Sequence, residues 1–396
     1  MTWPDARRTR LRRLFARRDL TGQPDLPMLS VYRDYGVVPR EGRKDNYNKP
    51  GEDPSAYRVV RRGDLVLNKM KTWQGSLGIS NYEGIVSPAY FVARPLTDDS
   101  PAFLHHLLRS GPLIAKYGAR SKGIRPSQWD LPWEEFQNIA VDLPAVETQW
   151  AVADYLDRET ARIDALIAAK RRMVELLEER LRVAISDATD RGTPTSVRRV
   201  IILRTTGPRG WGDLAADSGE PFIRSANLRR DDIELQSDEM ALVSPPPSQE
   251  AARSRTRAGD VLVGVTGANT GWVGIVRSDV ANGYVSQHVA ILRPSTDLLP
   301  EWLAYSLFSY PVQDQLLGGQ YGGTKQQLGL EDLADLVIKL PGLEQQRLLV
   351  ALLERTKLAS RNAIRTLSTQ SGLLQERRQS LITAAVTGQI DISVAA

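Results

Sequence analysis

Residues 163, 167, 170, 174, 177, 181, 184 and 188 recur at alternating spacings of four and three. They read Ile163, Ile167, Lys170, Val174, Leu177, Leu181, Ala184 and Ala188. Arg171, Arg172, Glu175, Glu178 and Glu179 fill the positions between them, and neither glycine nor proline occurs between Pro144 and Gly192. This period predicts a long helix whose stripe packs on another helix. A second run, Ser360, Ile364, Leu367, Ser371, Leu374, Arg378, Leu381 and Ala385, keeps the same spacing. The two runs are copies. Leu143, Pro144, Glu147, Gln149, Leu177, Glu179, Arg180 and Ile185 reappear as Leu340, Pro341, Glu344, Gln346, Leu374, Glu376, Arg377 and Ile382, at a constant offset of 197 residues. A tandem repeat therefore organises the chain. Polar seam positions (Lys170, Ser371, Arg378) make a poor homodimeric zipper but suit two helices paired within one chain, with register set by those residues. The pairing contacts expected are Ile163, Ile167, Val174, Leu177, Leu181, Ile364, Leu367, Leu374 and Leu381.

Shorter patterns flank the helices. The arginine-rich start (Arg7, Arg8, Arg10, Arg12, Arg13, Arg17, Arg18) reads first as a solvated basic helix, with phosphate contact as the sharper alternative. Val59-Val60, a turn at Arg62-Gly63-Asp64, and Leu65-Val66-Leu67 predict strands, as do residues 86–94. Helical spacing runs from Phe103 to Leu113. The second half replays this order. Arg12-Arg13 through Arg18 is answered by Arg198-Arg199 through Arg204, Gly63-Asp64 by Gly259-Asp260, Arg94-Pro95 by Arg293-Pro294, and residues 117–122 by 321–326. Between these anchors the halves diverge, so that residues 68–75 have little in common with 264–270. Gly192 and Pro194 stop the first long helix. The expected fold class is α+β: globular α/β domains at 1–142 and 193–339, alternating with helical spacers at 143–192 and 340–396.

At 396 residues each half can bury its own core. A net charge of +5 suits a polyanionic partner without requiring one. Absence of cysteine excludes disulfides and cysteine-ligated metals. No apolar run spans a bilayer, and the basic amino terminus has no apolar stretch behind it, so a soluble cytoplasmic protein without membrane contact is expected. Catalytic spacing is missing. There is no phosphate loop, no Asn-Pro-Pro-aromatic tetrapeptide, no nuclease carboxylate set, and the only histidines are His105, His106 and His288. A non-catalytic chain is expected, with no metal site and no cofactor of its own.

Recognition chemistry remains. Cations, amides and aromatics gather at matching points of the repeats: Arg12, Arg13, Lys69, Lys71, Trp73, Gln74, Arg120, Ser121 and Lys122 in the first half. The second half offers Arg198, Arg199, Asn269, Thr270, Tyr321, Thr324, Lys325 and Gln326. Arg and Lys pair with guanine edges, Asn and Gln with adenine edges, and cations with hydroxyls hold phosphates. Thr324 is placed to cap a helical-looking stretch at 326–333 and to present its dipole to a phosphate.

The arrangement resembles the DNA-specificity subunits of type I restriction–modification enzymes, over essentially the whole chain. The resemblance is carried by Leu-Pro-x-x-Glu-x-Gln at 143–149 and 340–346, by Ala-Asp-Tyr-Leu-Asp-Arg-Glu-Thr-Ala-Arg-Ile-Asp at 153–164, and by Gly-Gly-Thr-Lys-Gln-Gln-Leu at 322–328. The stretch at 120–125 departs from the Gly-Thr-x-x-x-Leu pattern of the second half. The resemblance implies two target-recognition domains separated by two long helices in an antiparallel coiled coil. Each domain would read one half of a bipartite double-stranded DNA target, and the helices would dock methyltransferase subunits, two of them expected, and set the spacing. Restriction–translocase subunits would complete the assembly, and S-adenosylmethionine, ATP and magnesium would belong to those partners. A ruler helix from about Arg158 to Thr189 would span roughly 48 Å, on the order of 14 base pairs. The rival from another class is a repeat-built scaffold that joins proteins and never reads DNA.

Overall fold

The four-three period is realised in a computed structural model of the chain, which describes residues 3, 5–33, 35–41, 54–123, 129–238, 240–318 and 327–390. Two helices of 44 residues each, Val146–Thr189 and Leu343–Val386, carry it. At 1.5 Å per residue each is about 66 Å long. The first thus starts a full three turns before the Arg158 expected of the ruler, because nothing between Pro144 and Arg158 breaks the helix. Every seam position is buried or half-buried, whereas Arg171, Arg172, Glu175, Glu178 and Glu179 are exposed. The chain divides into two compact units, Met1–Ala169 with Thr369–Ala396, and Lys170–Ser368. Each unit therefore owns half of each long helix.

The first unit contains β1 (Arg7–Arg10), β2 (Phe15–Arg17), β3 (Leu29–Tyr32), β4 (Gly36–Pro39), β5 (Arg58–Val60), β6 (Leu65–Asn68), β7 (Leu77–Ile79), β8 (Gly84–Val86) and β9 (Tyr90–Pro95). After these come α1 (Pro101–Leu108), α2 (Gly111–Gly118), α3 (Trp133–Gln137) and β10 (Ala140–Leu143), and then the long α4 (Val146–Thr189). An antiparallel sheet of order β2-β9-β6-β7 is flanked by the pairs β1-β10, β3-β4 and β5-β8. Its core joins Leu65, Leu67, Phe103 and Tyr117 to Val152 and Leu156 of α4, and to Ile382, Ala385 and Val386 of the second long helix. Farther along, Arg378 Nε meets Asp164 Oδ1 at 2.9 Å, so the two helical segments run antiparallel within this unit.

The second unit continues with β11 (Thr193–Ser196), β12 (Ile201–Thr206), β13 (Ala215–Ala216), β14 (Glu220–Ile223), β15 (Ala241–Val243), α5 (Gln249–Ser254), β16 (Val261–Gly264), β17 (Val273–Ile275), β18 (Tyr284–Val285) and β19 (Val289–Pro294). It closes with α6 (Pro300–Phe308), α7 (Tyr310–Gly318), α8 (Leu330–Asp335), β20 (Val337–Leu340) and the long α9 (Leu343–Val386). The sheet β12-β19-β16-β17 repeats that of the first unit, and β11-β20 repeats β1-β10. A second four-stranded sheet, β13-β15-β14-β18, has no four-stranded counterpart among the described residues of the first unit. Here Ile185 and Ala188 of α4 and Leu353 of α9 complete the core.

Three local expectations need correction. The basic amino terminus is strand, turn and strand, not helix. Arg8 and Arg10 face solvent while Thr9 is buried, and β1 finds its partner at β10. The helical spacing from Phe103 breaks into α1 and α2, since Pro112 cannot continue a helix but fits the first turn of the next. In the sheet, Arg204 corresponds to Arg17 rather than Arg18. Arg17 opposes Ala93 and Arg204 opposes Leu292, each one residue before the Arg-Pro pair, and a bulge between Ile201 and Leu203 supplies the extra residue.

The repeated motifs have physical reasons. Gln149 is fully buried; its Oε1 accepts from Ser100 N at 2.9 Å, and its Nε2 donates to Asp99 Oδ1 at 2.8 Å and to Pro144 O at 3.0 Å. Gln346 does the same with Leu299 N at 2.9 Å, Asp297 O at 3.1 Å and Pro341 O at 2.9 Å. The glutamine thus bolts each globular part to its long helix. About two helical turns onward, His106 Nε2 meets Asp157 Oδ1 at 2.8 Å, and Tyr305 donates to Glu354 Oε1 at 2.5 Å, again at equivalent positions. In the Gly-Asp turns Gly63 and Gly259 adopt φ of 88° and 86°, and Asp64 and Asp260 accept from the backbone of Arg61 and Arg257. Gly192 also has positive φ, and a Cβ there would lie 2.4 Å from the Leu340 backbone.

Candidate nucleic-acid interface

In the first unit the loop between β6 and β7 holds Lys69, Lys71, Trp73 and Gln74. Thr72 shapes it by donating its hydroxyl to Asn68 O at 2.7 Å, and Gly75 closes it at φ 94°. Trp73 is pinned twice: Nε1 donates to Met70 O at 3.0 Å, and its ring lies 5.1 Å from that of Trp129. Lys69 O accepts from Leu131 N at 3.2 Å, and Lys122 exchanges backbone hydrogen bonds with Asp130 at 2.9 and 2.8 Å. Residues 69–74 and 129–131 therefore form one surface, joined by Lys122. Arg120 donates to Lys116 O, Ser121 to Tyr117 O, and Lys122 Nζ pairs with the half-buried Glu135 at 3.3 Å.

Arg12 and Arg13 lie on a turn beside α3, where Arg12 reaches Asn138 Oδ1 at 3.4 Å and Arg13 is exposed. Their counterparts occupy the same turn in the second unit. Arg198 is held by Asp335 and Glu331 of α8, so it ties the turn to that helix, while Arg199 is exposed.

Around the loop between β16 and β17, Asn269 donates its amide to Ser225 O at 2.7 Å, and the buried Thr270 donates its hydroxyl to Gly267 O at 2.7 Å. Both side chains hold the loop in shape here. Tyr321, Thr324, Lys325 and Gln326 lie outside the described residues. The helix expected at 326–333 begins only at Leu330. Gln327 instead bridges Thr266, Leu328 N donates to Val265 O at 2.9 Å, and Asp332 caps the helix by accepting from Gly329 N at 2.7 Å. The cap position of α8 is Gly329, and the capping role expected of Thr324 falls outside the described residues.

Sequence reasoning passed over a polar group at this place. His288 meets the Thr266 hydroxyl through Nδ1 and the Gln287 amide through Nε2 at 3.0 Å, and Gln287 Oε1 accepts from Gly210 N at 3.3 Å. The signal available was Val-Ser-Gln-His at 285–288, which replays Val86-Ser87 with two polar side chains added. In sequence His288 stands out only as one of three histidines available to catalysis or a metal. Among the described residues no group of three or more His, Cys, Asp or Glu is placed to hold a metal ion, and no helix is long and apolar enough to cross a membrane.

No protein-family model matches the chain. A type I restriction enzyme EcoBI specificity subunit from Escherichia coli is 22% identical over 284 residues, which cover 64% of this chain. The match spans 59% of that relative's length. Among solved structures, a chain from work on complex assembly and conformational transition of the type I R-M system superposes with a TM-score of 0.76, at 19% identity, over 98% of this chain and all of that one. The HsdS subunit from Thermoanaerobacter tengcongensis follows with a TM-score of 0.54, at 19% identity, over 98% of each chain. The resemblance drawn from sequence therefore stands: two sheet-rich domains and two long helices make up the fold of a type I specificity subunit.

Proposed function

We propose that this chain, which has the specificity-subunit fold, is the DNA-recognition subunit of a type I restriction–modification complex, and that each sheet-rich domain reads one half of a bipartite duplex target. The observation that carries the reading is the repeat itself. The same four-stranded sheet and the same glutamine bolt recur, while the loops that leave equivalent strands, 69–76 and 265–272, differ in every polar side chain. A shared frame with unlike loops is what two readers of unlike half-sites require.

Lys69, Lys71, Gln74, Gln287 and His288 supply donors and acceptors for base edges or phosphates, and Trp73 with Trp129 supplies an apolar face. The long helices dock methyltransferase subunits. Their outward apolar side chains, among them Leu166, Met173 and Leu176 on α4 and Leu348 and Leu352 on α9, support that role. Methyl transfer and strand cleavage then belong to the partners, which bring S-adenosylmethionine, ATP and magnesium, and this chain supplies the choice of sequence.

Co-expression with a type I methyltransferase subunit, followed by mapping of adenine methylation, tests the reading. One split motif with an invariant unread spacer is expected. A stable complex that leaves DNA unmethylated, or methylation without sequence preference, would refute it.

A further inference from the structure

Three cations of the first unit converge on one aromatic ring. Lys69 Nζ lies 4.7 Å, Arg17 Cζ 5.2 Å and Arg58 Cζ 6.0 Å from the centroid of Phe91. Phe91 is itself buried and backed by Trp133 at 5.8 Å, so the ring is a fixed platform. Lys69 is held at both ends of its peptide, through Ala89 O and Leu131 N at 3.2 Å each. Among the described residues two carboxylates stand against the three cations. Asp19, half exposed, lies 2.8 Å from Arg17 Nε and 2.7 Å from Arg58 Nη1, and Asp130 acts on Lys69 from farther away. Arg58 Nη1, a buried atom, is thus paired with Asp19 by charge but makes no well-aligned hydrogen bond among the described residues. Among the described residues one positive charge is left over, at a place that is part protein and part solvent.

From this geometry we propose that Arg17, Arg58 and Lys69 form a seat for one phosphodiester of duplex DNA. The inference rests on the DNA reading above and deepens it by assigning the contact that sets register rather than sequence. Two guanidinium groups and an ammonium, pre-positioned by the ring, match the several oxygens and the single charge of a backbone phosphate. Partial burial and the neighbouring Arg58 push the Lys69 ammonium below its ordinary pKa, as expected where cations are crowded and an anion would relieve them.

The second unit lacks the seat. Arg204 occupies the place of Arg17 but is paired with Glu331 at 2.6 Å, while Ala290 and Val265 stand where Phe91 and Lys69 do. The phosphate anchor is accordingly one-sided, and Arg204→Gln serves as the control.

The test is the salt dependence of duplex DNA binding by the full chain co-purified with its methyltransferase. In Arg17→Gln/Lys69→Gln the slope of log affinity against log salt should become shallower by about 0.9, one phosphate's worth. The methylated motif should stay unchanged, and Arg204→Gln should keep the wild-type slope. Both substituted residues are at least partly exposed, and a matching melting temperature confirms folding. If wild type binds DNA and the double variant keeps its slope, or reads a different motif, the seat is refuted and the DNA reading stands. If wild type shows no salt-dependent duplex binding, the DNA reading itself fails.

Discussion

Single buried side chains fix the joints of this fold. Gln149 and Gln346 each make three hydrogen bonds from a fully buried amide. Gln149→Leu strands Ser100 N–H and Pro144 C=O, and each orphaned group costs about 1–3 kcal/mol. Urea unfolding should show that loss for Gln149→Leu, and a like loss for Gln346→Leu. A change within about 0.5 kcal/mol of wild type would mean the bolt is ornamental. His105 gives a pH signature. It is half-buried with its ring turned inward, accepts from Ile79 N through Nδ1 at 3.2 Å, and its pKa lies well below the ordinary value because of desolvation first and the Arg109 cation second. The folded state therefore resists a proton that the unfolded chain takes up near pH ~6.5. Its contribution is fully present above that pH and is lost as pH falls below it. Melting temperatures should drop between about pH 7 and about pH 5, and His105→Asn, which keeps an acceptor near the Nδ1 position, should flatten that drop while lowering stability throughout. An equally steep profile in the variant would assign the pH effect elsewhere.

Elements differ in how far the sequence discloses them. The long helices were legible because one seam repeats over residues 163–188 and again over 360–385 of the two 44-residue helices, and each of its positions is indeed buried or half-buried. Strands of three or four residues were legible where Val and Leu dominate, as in β6 and β16. They were misread where arginine does, because β1 is defined by pairing with β10, some 130 residues away in sequence, and not by any local period. The candidate loops were only half legible for the same reason. Nothing near Asn269 in sequence foretells that its amide is engaged by Ser225, 44 residues back. On α4 the distinction between seam and outer face makes opposite predictions for neighbours. Leu177 is half-buried, so Leu177→Ala should cost about 1–2 kcal/mol, less than for a fully buried leucine. Met173 and Leu176 are 51% and 52% exposed, so Met173→Gln/Leu176→Gln should leave melting nearly unchanged yet weaken co-purification with the methyltransferase. Unimpaired capture of the partner would remove this stretch of helix from the docking surface.

At the scale of the whole molecule the repeat, under the proposed DNA-reading function, implies that recognition is modular. Each unit has its own sheet, its own core and its own bolt to helical residues it shares with no other core. Residues 1–142 should therefore be exchangeable for those of a relative, provided the incoming domain keeps what its unit demands. It needs a backbone donor at the place of Ser100 for Gln149, a partner at the place of His106 for Asp157, and an apolar surface for Val152, Leu156 and Ile382. Those requirements lie in the framework and not in the loop at 69–76, so framework and reading surface are separable. The expected chimera methylates a motif altered in one half only, with the other half and the spacer length retained. Because α4 and α9 are untouched, a changed spacer would show that the exchanged domain, rather than the helices, sets that distance. Alteration of both halves would show that the two sheet-rich domains do not read independently, and the two-reader mechanism would have to be abandoned.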